Sequence, residues 1–436
     1  YDDIPCALSS FSNGKSNKND VNVKIESDYN SEIKNIKKIN NMNNISKVHD
    51  CYGCGVCATA CGRKIIEIGL NADGFYEPHI TDPNKCTNCG ICTDVCAYLH
   101  DELSLKEVEI HSYAAWSKDH LVRRKCSSGG AGFEIGKYLL GQGYKVCGVR
   151  YDTDKNRAEH YIATNVEELI PSAGSKYIQS YTVDGFKSIN RKEKYLVTGT
   201  PCQIDSFRRY IQKFRCEDNF VLLDFFCHGV PSMLVWKKYT EWAEKQVGKI
   251  TYASWRNKWT GWHDSWAMGI DGEKCDERKH HKDVSKDKLL KECHNNIESY
   301  RSKGDMFYML FLNDSCLGKQ CYKHCKYKYR KSSADIRIGD LWGNTYKGDE
   351  DGVSCAITFT PKGHEILSHT NCELVKHSFD VVAEGQMKCM PKIKWHFGLV
   401  RKLLRLEVMS ISQIILFHKL LVKIDNRITK LGFSKK

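Results

Sequence analysis

Eight cysteines between residues 51 and 96 fall into two copies of one spacing: Cys51, Cys54, Cys57 and Cys61, then Cys86, Cys89, Cys92 and Cys96. Each copy reads C-x-x-C-x-x-C-x-x-x-C, the run that holds a [4Fe–4S] cluster in bacterial ferredoxins. The spacing constrains the fold because a cubane offers an iron at each of four corners, and three thiolates from one tight loop reach three of them. The fourth ligand comes from the opposite run. Cys51, Cys54, Cys57 and Cys96 are therefore expected to hold one cluster, and Cys86, Cys89, Cys92 and Cys61 the other. Zinc is the competing reading of a C-x-x-C pair, but zinc sites use separated pairs rather than two complete runs. A chain built around such runs moves electrons.

The runs occupy a small part of 436 residues. The remainder of the chain is long enough for one large α/β domain or two smaller ones. No stretch approaches the ~18 apolar residues of a membrane span. No signal peptide is visible, and because the chain begins at Tyr1 rather than methionine, its start is expected to lie upstream. Twenty-two cysteines would scramble in an oxidising compartment, so thiolate ligands argue for a reducing cytoplasm. Residues 391–436 hold 11 Lys and Arg against Glu407 and Asp425, a net +9 of the total +13. Basicity so localised argues against a nucleic-acid-binding face.

Residues 1–47 read as a disordered Asn/Lys-rich linker, joining an upstream domain. Residues 48–105 form the two-cluster module, with a small hairpin from Ile65–Ile68 across the Asp73-Gly74 turn. Beyond it, strands alternate with helices. Ser127-Ser128-Gly129-Gly130 leads into a helix at 131–141, then a strand at Tyr144–Val149. Lys194–Thr198 reads as a strand and Gly199-Thr200-Pro201 as a turn, with Thr200 capping a helix over Cys202–Gln212. Phe220–Phe226 is an apolar strand interrupted by Asp224, and Pro231 opens another helix. This β-α-β order predicts an α/β (or α+β) fold with a parallel sheet.

Residues 271–305 are polar, and Cys275, His280, His281, Cys293 and His294 match no standard metal spacing there, so a surface loop is expected. Residues 395–436 form a basic helical tail, with Leu403, Leu404, Ile411, Ile414, Ile415, Leu420 and Leu421 at helical intervals. Such an amphipathic helix docks on its own chain, on a partner or on a membrane surface. Trp255, Trp259, Trp262 and Trp266 are spaced as one helix face, which reads as packing.

Cys202 and Cys227 each follow a predicted strand and start a predicted helix. In neighbouring parallel strands both thiols lie at the carboxyl edge of the sheet, where α/β proteins bind ligands. Cys316, Cys321 and Cys325 come later. A third cluster on Cys202, Cys227, Cys321 and Cys325 is expected, with Cys316 in reserve; lone cysteines buried as small hydrophobes are the alternative.

Six further motifs occur in order: Ser127-Ser-Gly-Gly130, Gly174-Ser-Lys-Tyr177, Gly199-Thr-Pro-Cys-Gln203, Cys227-His-Gly-Val-Pro-Ser232, Arg256-Asn-Lys258 with Gly261-Trp262, and Asp335-Ile-Arg-Ile-Gly-Asp-Leu-Trp-Gly343. With the cysteine runs they resemble the beta-subunit family of coenzyme F420 hydrogenases and dehydrogenases, over about residues 48–395. That family includes 7-hydroxymethyl chlorophyll a reductase and homologues linked to polysaccharide clusters. The resemblance implies a flavin-binding domain over residues 106–394, with FAD beside the iron–sulfur centres. Ser127, Ser128, Gly129 and Gly130 are then a backbone cradle for its phosphate. Lys176 is a phosphate or flavin contact, or else a solvated lysine. Gly199 and Thr200 let backbone approach the cofactor. The family pattern also puts the tryptophans on a strand and loop, where Trp262 stacks on a flat ring. Two departures stand out: neither ferredoxin run ends in Cys-Pro, and Cys321 and Cys325 are separated by three residues where the family has C-x-x-C.

Together these imply an iron–sulfur flavoprotein oxidoreductase. It would pass electrons between a redox partner protein, ferredoxin or reduced deazaflavin, its own clusters and FAD, and a deazaflavin or an unidentified organic substrate. No catalytic acid or base is assigned. The alternative is an electron-transfer subunit without its own substrate, serving a partner dehydrogenase or hydrogenase. A homo-oligomer is compatible with both.

Overall fold

The computed structural model describes residues 43–274 and 296–430. Most of the expected linker, and Cys275, His280, His281, Cys293 and His294, lie outside them. The linker's last residues pack instead of trailing. Ile45 and Val48 are buried in one cluster with Cys51, Cys57 and Cys92, so an apolar pair ends the Asn-rich stretch by closing over the cysteine runs.

The first run enters a short helix, α1 (Val56–Ala60). Strands β1 (Ile66–Leu70) and β2 (Tyr76–Ile80) pair antiparallel across the expected turn, where Gly74 takes φ 76°. Beyond β3 (His111–Ser117) comes α2 (Ala131–Gly141), then β4 (Lys145–Asp152), β5 (Arg157–Ala163), β6 (Ser180–Tyr181) and β7 (Tyr195–Thr198). Helix α3 (Pro201–Lys213), strand β8 (Phe220–Phe225) and α4 (Met233–Val247) come next. A separate antiparallel sheet holds β9 (Ile250–Ser254), β10 (Ala267–Gly272) and β11 (Ile297–Tyr300). The chain then returns to the large sheet with β12 (Ile336–Asp340), β13 (Ser354–Thr358) and β14 (Cys372–Lys376), and ends in α5 (Phe397–Arg405) and α6 (Ile411–Lys430).

The large sheet runs β14-β3-β13-β12-β8-β7-β4-β5-β6. Its centre, β12-β8-β7-β4, is parallel as expected, but the sheet as a whole is mixed. Strands β4 and β5 are joined by only residues 153–156, too few for a crossover, so they pair antiparallel. On the other side β13, β3 and β14 also add antiparallel.

The side-chain alternation of β7 and β8 explains their continuous apolar sequence, because both faces are covered. Leu196, Val221 and Leu223 pack with Ile135 and Leu139 of α2. Tyr195, Val197, Phe220 and Leu222 pack with Ile204, Phe207 and Ile211 of α3 on the other face. Asp224, which interrupts the run, is buried and bonded by Arg337 of β12, Nε to Oδ1 and Nη2 to Oδ2, both at 2.7 Å. Arg337 and Asp224 are register partners, so the pair ties the two central strands together.

Three expectations are corrected here. Pro231 does not open α4, which starts at Met233 with Ser232 as its cap. Cys227 therefore lies in a loop, not at a helix start. The four tryptophans sit in the 255–266 loop between β9 and β10, not on a helix.

Helices α5 and α6 dock on their own chain. Phe397, Val400, Leu404, Ile411, Ile414, Ile415 and Leu421 join the core formed by Trp236, Tyr239, Phe307 and Phe311. Among the described residues no helix is long and apolar enough to cross a membrane.

Candidate redox and cofactor site

The cysteine runs fold against α3. Cys54 Sγ lies 3.3 Å from Ser206 Oγ, which also accepts the Ala97 N–H at 3.1 Å. Cys51, Cys54, Cys57 and Cys96 surround one small cavity, closed by Ile45, Val48, Ile68, Pro78 and Tyr98. These are three thiols of the first run and the last of the second, the crossed set that the spacing implies. Burial pushes the Cys96 thiol up to about 12, with neighbouring Cys54 adding to the rise. Cys57 is raised by burial and then by Cys54, Cys96 and Cys51. Iron would have to displace these protons, since thiolate is the ligand.

Cys92 has the other neighbours. Its thiol is pushed up to about 11, chiefly by burial and then by Cys61, Cys89 and Cys86, against a backbone bond at Ile45 that lowers it. Cys89 is exposed, and Cys61 and Cys86 are half-buried. The second set thus faces solvent while the first is enclosed. Among the described residues no three His, Cys, Asp or Glu side chains close on a single metal ion.

A third group of thiols assembles from four places in the chain. Cys202 is the second residue of α3, Cys227 comes after β8, and Cys321 and Cys325 flank the end of a short helix, Lys319–Lys323. All four line one small cavity with Tyr52, Gly229 and Lys328. Cys202 is raised by burial and by Cys227, Cys321 and Cys325, while Thr200 Oγ1, 3.2 Å from its sulfur, opposes. The Val230 N–H donates to Cys321 Sγ at 3.5 Å. The three-residue spacing of Cys321 and Cys325 is accommodated because the helix ends between them. Cys316 is not in the group: it is buried in the core beside Leu317 and Phe311, which removes it as a reserve ligand.

A cavity of about 360 Å³ opens beside this group, within the range of small-molecule sites. Ser127, Ser128, Gly130, Lys176, Gly199 and Thr200 line it. The Ser127–Gly129 carbonyls are all engaged, by Arg256 Nη2 at 3.1 Å, Lys258 Nζ at 2.6 Å and the Ser117 N–H at 2.7 Å. Among the described residues no acceptor takes the N–H groups of Ser128, Gly129, Gly130, Ala131 or Gly132. Five donors without acceptors thus stand at the start of α2, the kind of backbone arrangement that suits an anion. Gly129 is obligatory there, since a Cβ would stand 2.3 Å from the Ala115 carbonyl oxygen. Gly130, at φ 87°, turns the chain into the helix.

Lys176 is placed differently from its expected role. Its ammonium donates to the Pro171, Ala173 and Gly174 carbonyls at 2.8, 2.9 and 3.1 Å, and burial pulls its pKa down to about 7. It holds the wall loop together, its ammonium donors engaged by these three carbonyls. Thr200 caps α3 as expected, its N–H donating to Gln203 Oε1 at 2.8 Å.

Trp262 does stack on a flat ring, but a protein one. Trp342 lies 4.5 Å away at 12°, and Trp342 and Trp266 are the tryptophans that line the cavity. Arg256 lies between these two rings, 4.9 Å from Trp266 and 5.4 Å from Trp342, and grips Asp340 with both terminal nitrogens. The sequence marks Arg256 and Lys258 only as part of a motif and assigns them no work; their signal was two cations in a buried stretch. His228, next to Cys227, bonds Asp314 Oδ1 at 2.7 Å.

Tyr52 is a site residue that the motifs miss altogether. It lines the first cluster cavity, the third cysteine cavity and the large cavity. Nothing in the sequence marks it beyond its place beside Cys51.

Known protein families match successive parts of the chain. Residues 112–185 and 192–377 match the N-terminal and C-terminal parts of the coenzyme F420 hydrogenase/dehydrogenase beta subunit. Residues 50–99 match a 4Fe-4S dicluster domain. A coenzyme F420 hydrogenase subunit beta from Methanococcus voltae is 36% identical over 72 residues, 15% of this chain. The chain spans 26% of that relative's length. A chain in the F420-reducing [NiFe] hydrogenase complex from Methanosarcina barkeri, solved as a xenon derivative, aligns with a TM-score of 0.39 and 18% identity. That alignment covers 74% of this chain and 94% of the other.

Proposed function

The chain belongs to the coenzyme F420 hydrogenase/dehydrogenase beta-subunit family and carries a 4Fe-4S dicluster domain, and from that premise we propose that it is an iron–sulfur flavoprotein oxidoreductase. Electrons pass between a protein or deazaflavin donor and a small organic substrate. The observation that carries the reading is the anion nest of residues 128–132 on a cavity that borders the third cysteine group. Those donors suit the pyrophosphate of FAD, and the cavity walls offer Trp266, Trp342 and Tyr177 to a flat ring system.

Cys51, Cys54, Cys57 and Cys96 would hold one cluster, Cys61, Cys86, Cys89 and Cys92 a second, and Cys202, Cys227, Cys321 and Cys325 a third. A flavin, when bound, exchanges single electrons with clusters and hydride with organic molecules. The protein's part is to exclude water, fix spacing and tune potentials through burial and hydrogen bonds. The exposed Cys89 marks the side at which a redox partner meets the chain. We take residues 48–105 as the cluster module, 106–394 as the flavin and third-cluster domain and 395–436 as the helical tail, working in the cytoplasm.

The test is anaerobic purification and then iron, sulfide and flavin determination. The reading requires about twelve iron in four-iron units and one FAD per chain. About eight iron and no flavin would sink it and leave an electron-transfer subunit for a partner enzyme.

A further inference from the structure

Helix α6 is apolar on two faces, and only one is buried. Ile411, Ile414, Ile415 and Leu421 pack into the protein. On the other side Leu416 is 70% exposed, Leu420 55% and Phe417 47%, with Ile424 continuing the row. At 3.6 residues per turn these four fall within an arc of about 100°. A helix apolar all round belongs in an apolar surrounding, so this outer stripe is a surface built to be covered.

The charges around it select the cover. Lys419 and Lys423 border the arc and Arg427 extends it, all three exposed. The helix's one carboxylate, Asp425, lies half a turn away from Leu416 and accepts the Trp395 indole N–H at 3.0 Å. The outer face is therefore apolar and cationic without a compensating acid, and it sits in the segment that carries the net +9. A second copy docked face to face would set the same cations together with no carboxylates to meet them. A bilayer with anionic headgroups meets both demands at once: acyl chains take the leucines, and lysine stems reach up to the phosphates.

We propose that the outer face of α6 seats the protein on an anionic membrane surface, as a peripheral attachment and not a span. In-plane seating puts Leu416, Phe417, Leu420 and Ile424 among the acyl chains and Lys419, Lys423 and Arg427 at headgroup level. The inference is independent of the flavin and third-cluster reading.

The experiment is co-sedimentation of the purified holoprotein with vesicles of phosphatidylcholine alone and of an equimolar phosphatidylcholine–phosphatidylglycerol mixture. Binding is expected to the anionic vesicles only and to fall with added salt. Leu416→Glu/Leu420→Glu should abolish it, and Lys419→Glu/Lys423→Glu should weaken it about tenfold or more. Both variants should keep the parent's iron content and absorption spectrum, which separates lost attachment from lost folding. Equal pelleting with neutral vesicles, or a leucine variant that still binds, overturns the proposal. So does a dimer in vesicle-free solution that the leucine variant converts to monomer, which would assign the stripe to self-association.

Discussion

Tyr52 donates its hydroxyl hydrogen to the His324 carbonyl at 2.6 Å, joining the residue after Cys51 to the residue before Cys325. The bond spans 272 positions and fixes the first cysteine run against the third cysteine group. Tyr98 and Tyr327 hold the ring edge-on, with centroids 5.2 and 5.8 Å away. Electron tunnelling falls steeply with distance and with gaps in packing, so the ring between the two sites should govern transfer between them. Tyr52→Phe keeps the ring and loses one hydrogen bond, about 1 kcal/mol; transfer should stay near the parent rate. Tyr52→Ala should slow it about tenfold to a hundredfold while iron content holds. Flash-initiated reduction monitored at cluster and flavin wavelengths makes the measurement. An unslowed alanine variant would remove Tyr52 from the path.

The third cysteine group predicts its own loss. Cys325→Ser should lower the iron content by about four atoms per chain and leave the ferredoxin-type signals in electron paramagnetic resonance. Cys316→Ser should change neither, because that thiol lies in the core with Leu317 and Phe311. If the two substitutions behave alike, the assignment of the four ligands fails.

How much the sequence disclosed depended on how local each signal was. The two cysteine runs, the Asp73-Gly74 hairpin and the β7-α3-β8 unit are short-range patterns, and all three are present. The flanks of the sheet were illegible because β3 pairs with β13 and β14, some 240 residues later, and no local period encodes that pairing. The helical reading of the tryptophans failed because Trp255 and Trp262 are buried by different neighbours: one packs on Trp236, the other on Trp342. A period of three and four meant nothing once the chain was a loop. Cys227 was placed at a helix start by the proline after it, whereas Ser232 is the residue that caps α4.

The proposed nest at residues 128–132 should be sensitive to the cations that hold the Ser127 and Ser128 carbonyls. Lys258→Met leaves the Ser128 carbonyl without its 2.6 Å donor, a loss of about 1–3 kcal/mol. FAD affinity, read from flavin fluorescence on titration, should fall with it. Gly129→Ala should do more, since the added methyl meets both the Ala115 oxygen and, at 2.7 Å, the Ser354 nitrogen. If Gly129→Ala binds flavin as tightly as the parent, the cradle lies elsewhere.

His160 gives the fold an acid-sensitive point. Its ring is buried against Phe186, and Nε2 lies 2.9 Å from the Thr198 carbonyl, to which it donates. The other ring nitrogen is buried without a partner. Burial holds the imidazole neutral and pulls its pKa down to about 4. The unfolded chain therefore takes up the proton more readily, near pH 6.5. The stabilisation is complete above that pH and drains away as the pH falls from 6.5 toward 4. Between pH 7 and 5 the loss should be about 2 kcal/mol. Denaturant unfolding of the parent and of His160→Gln at both pH values tests this. The glutamine variant should be less stable at pH 7 but should lose about 2 kcal/mol less on acidification. Parallel losses would mean that His160 is protonated in the folded protein and that its Thr198 bond, not its neutrality, is what the fold requires.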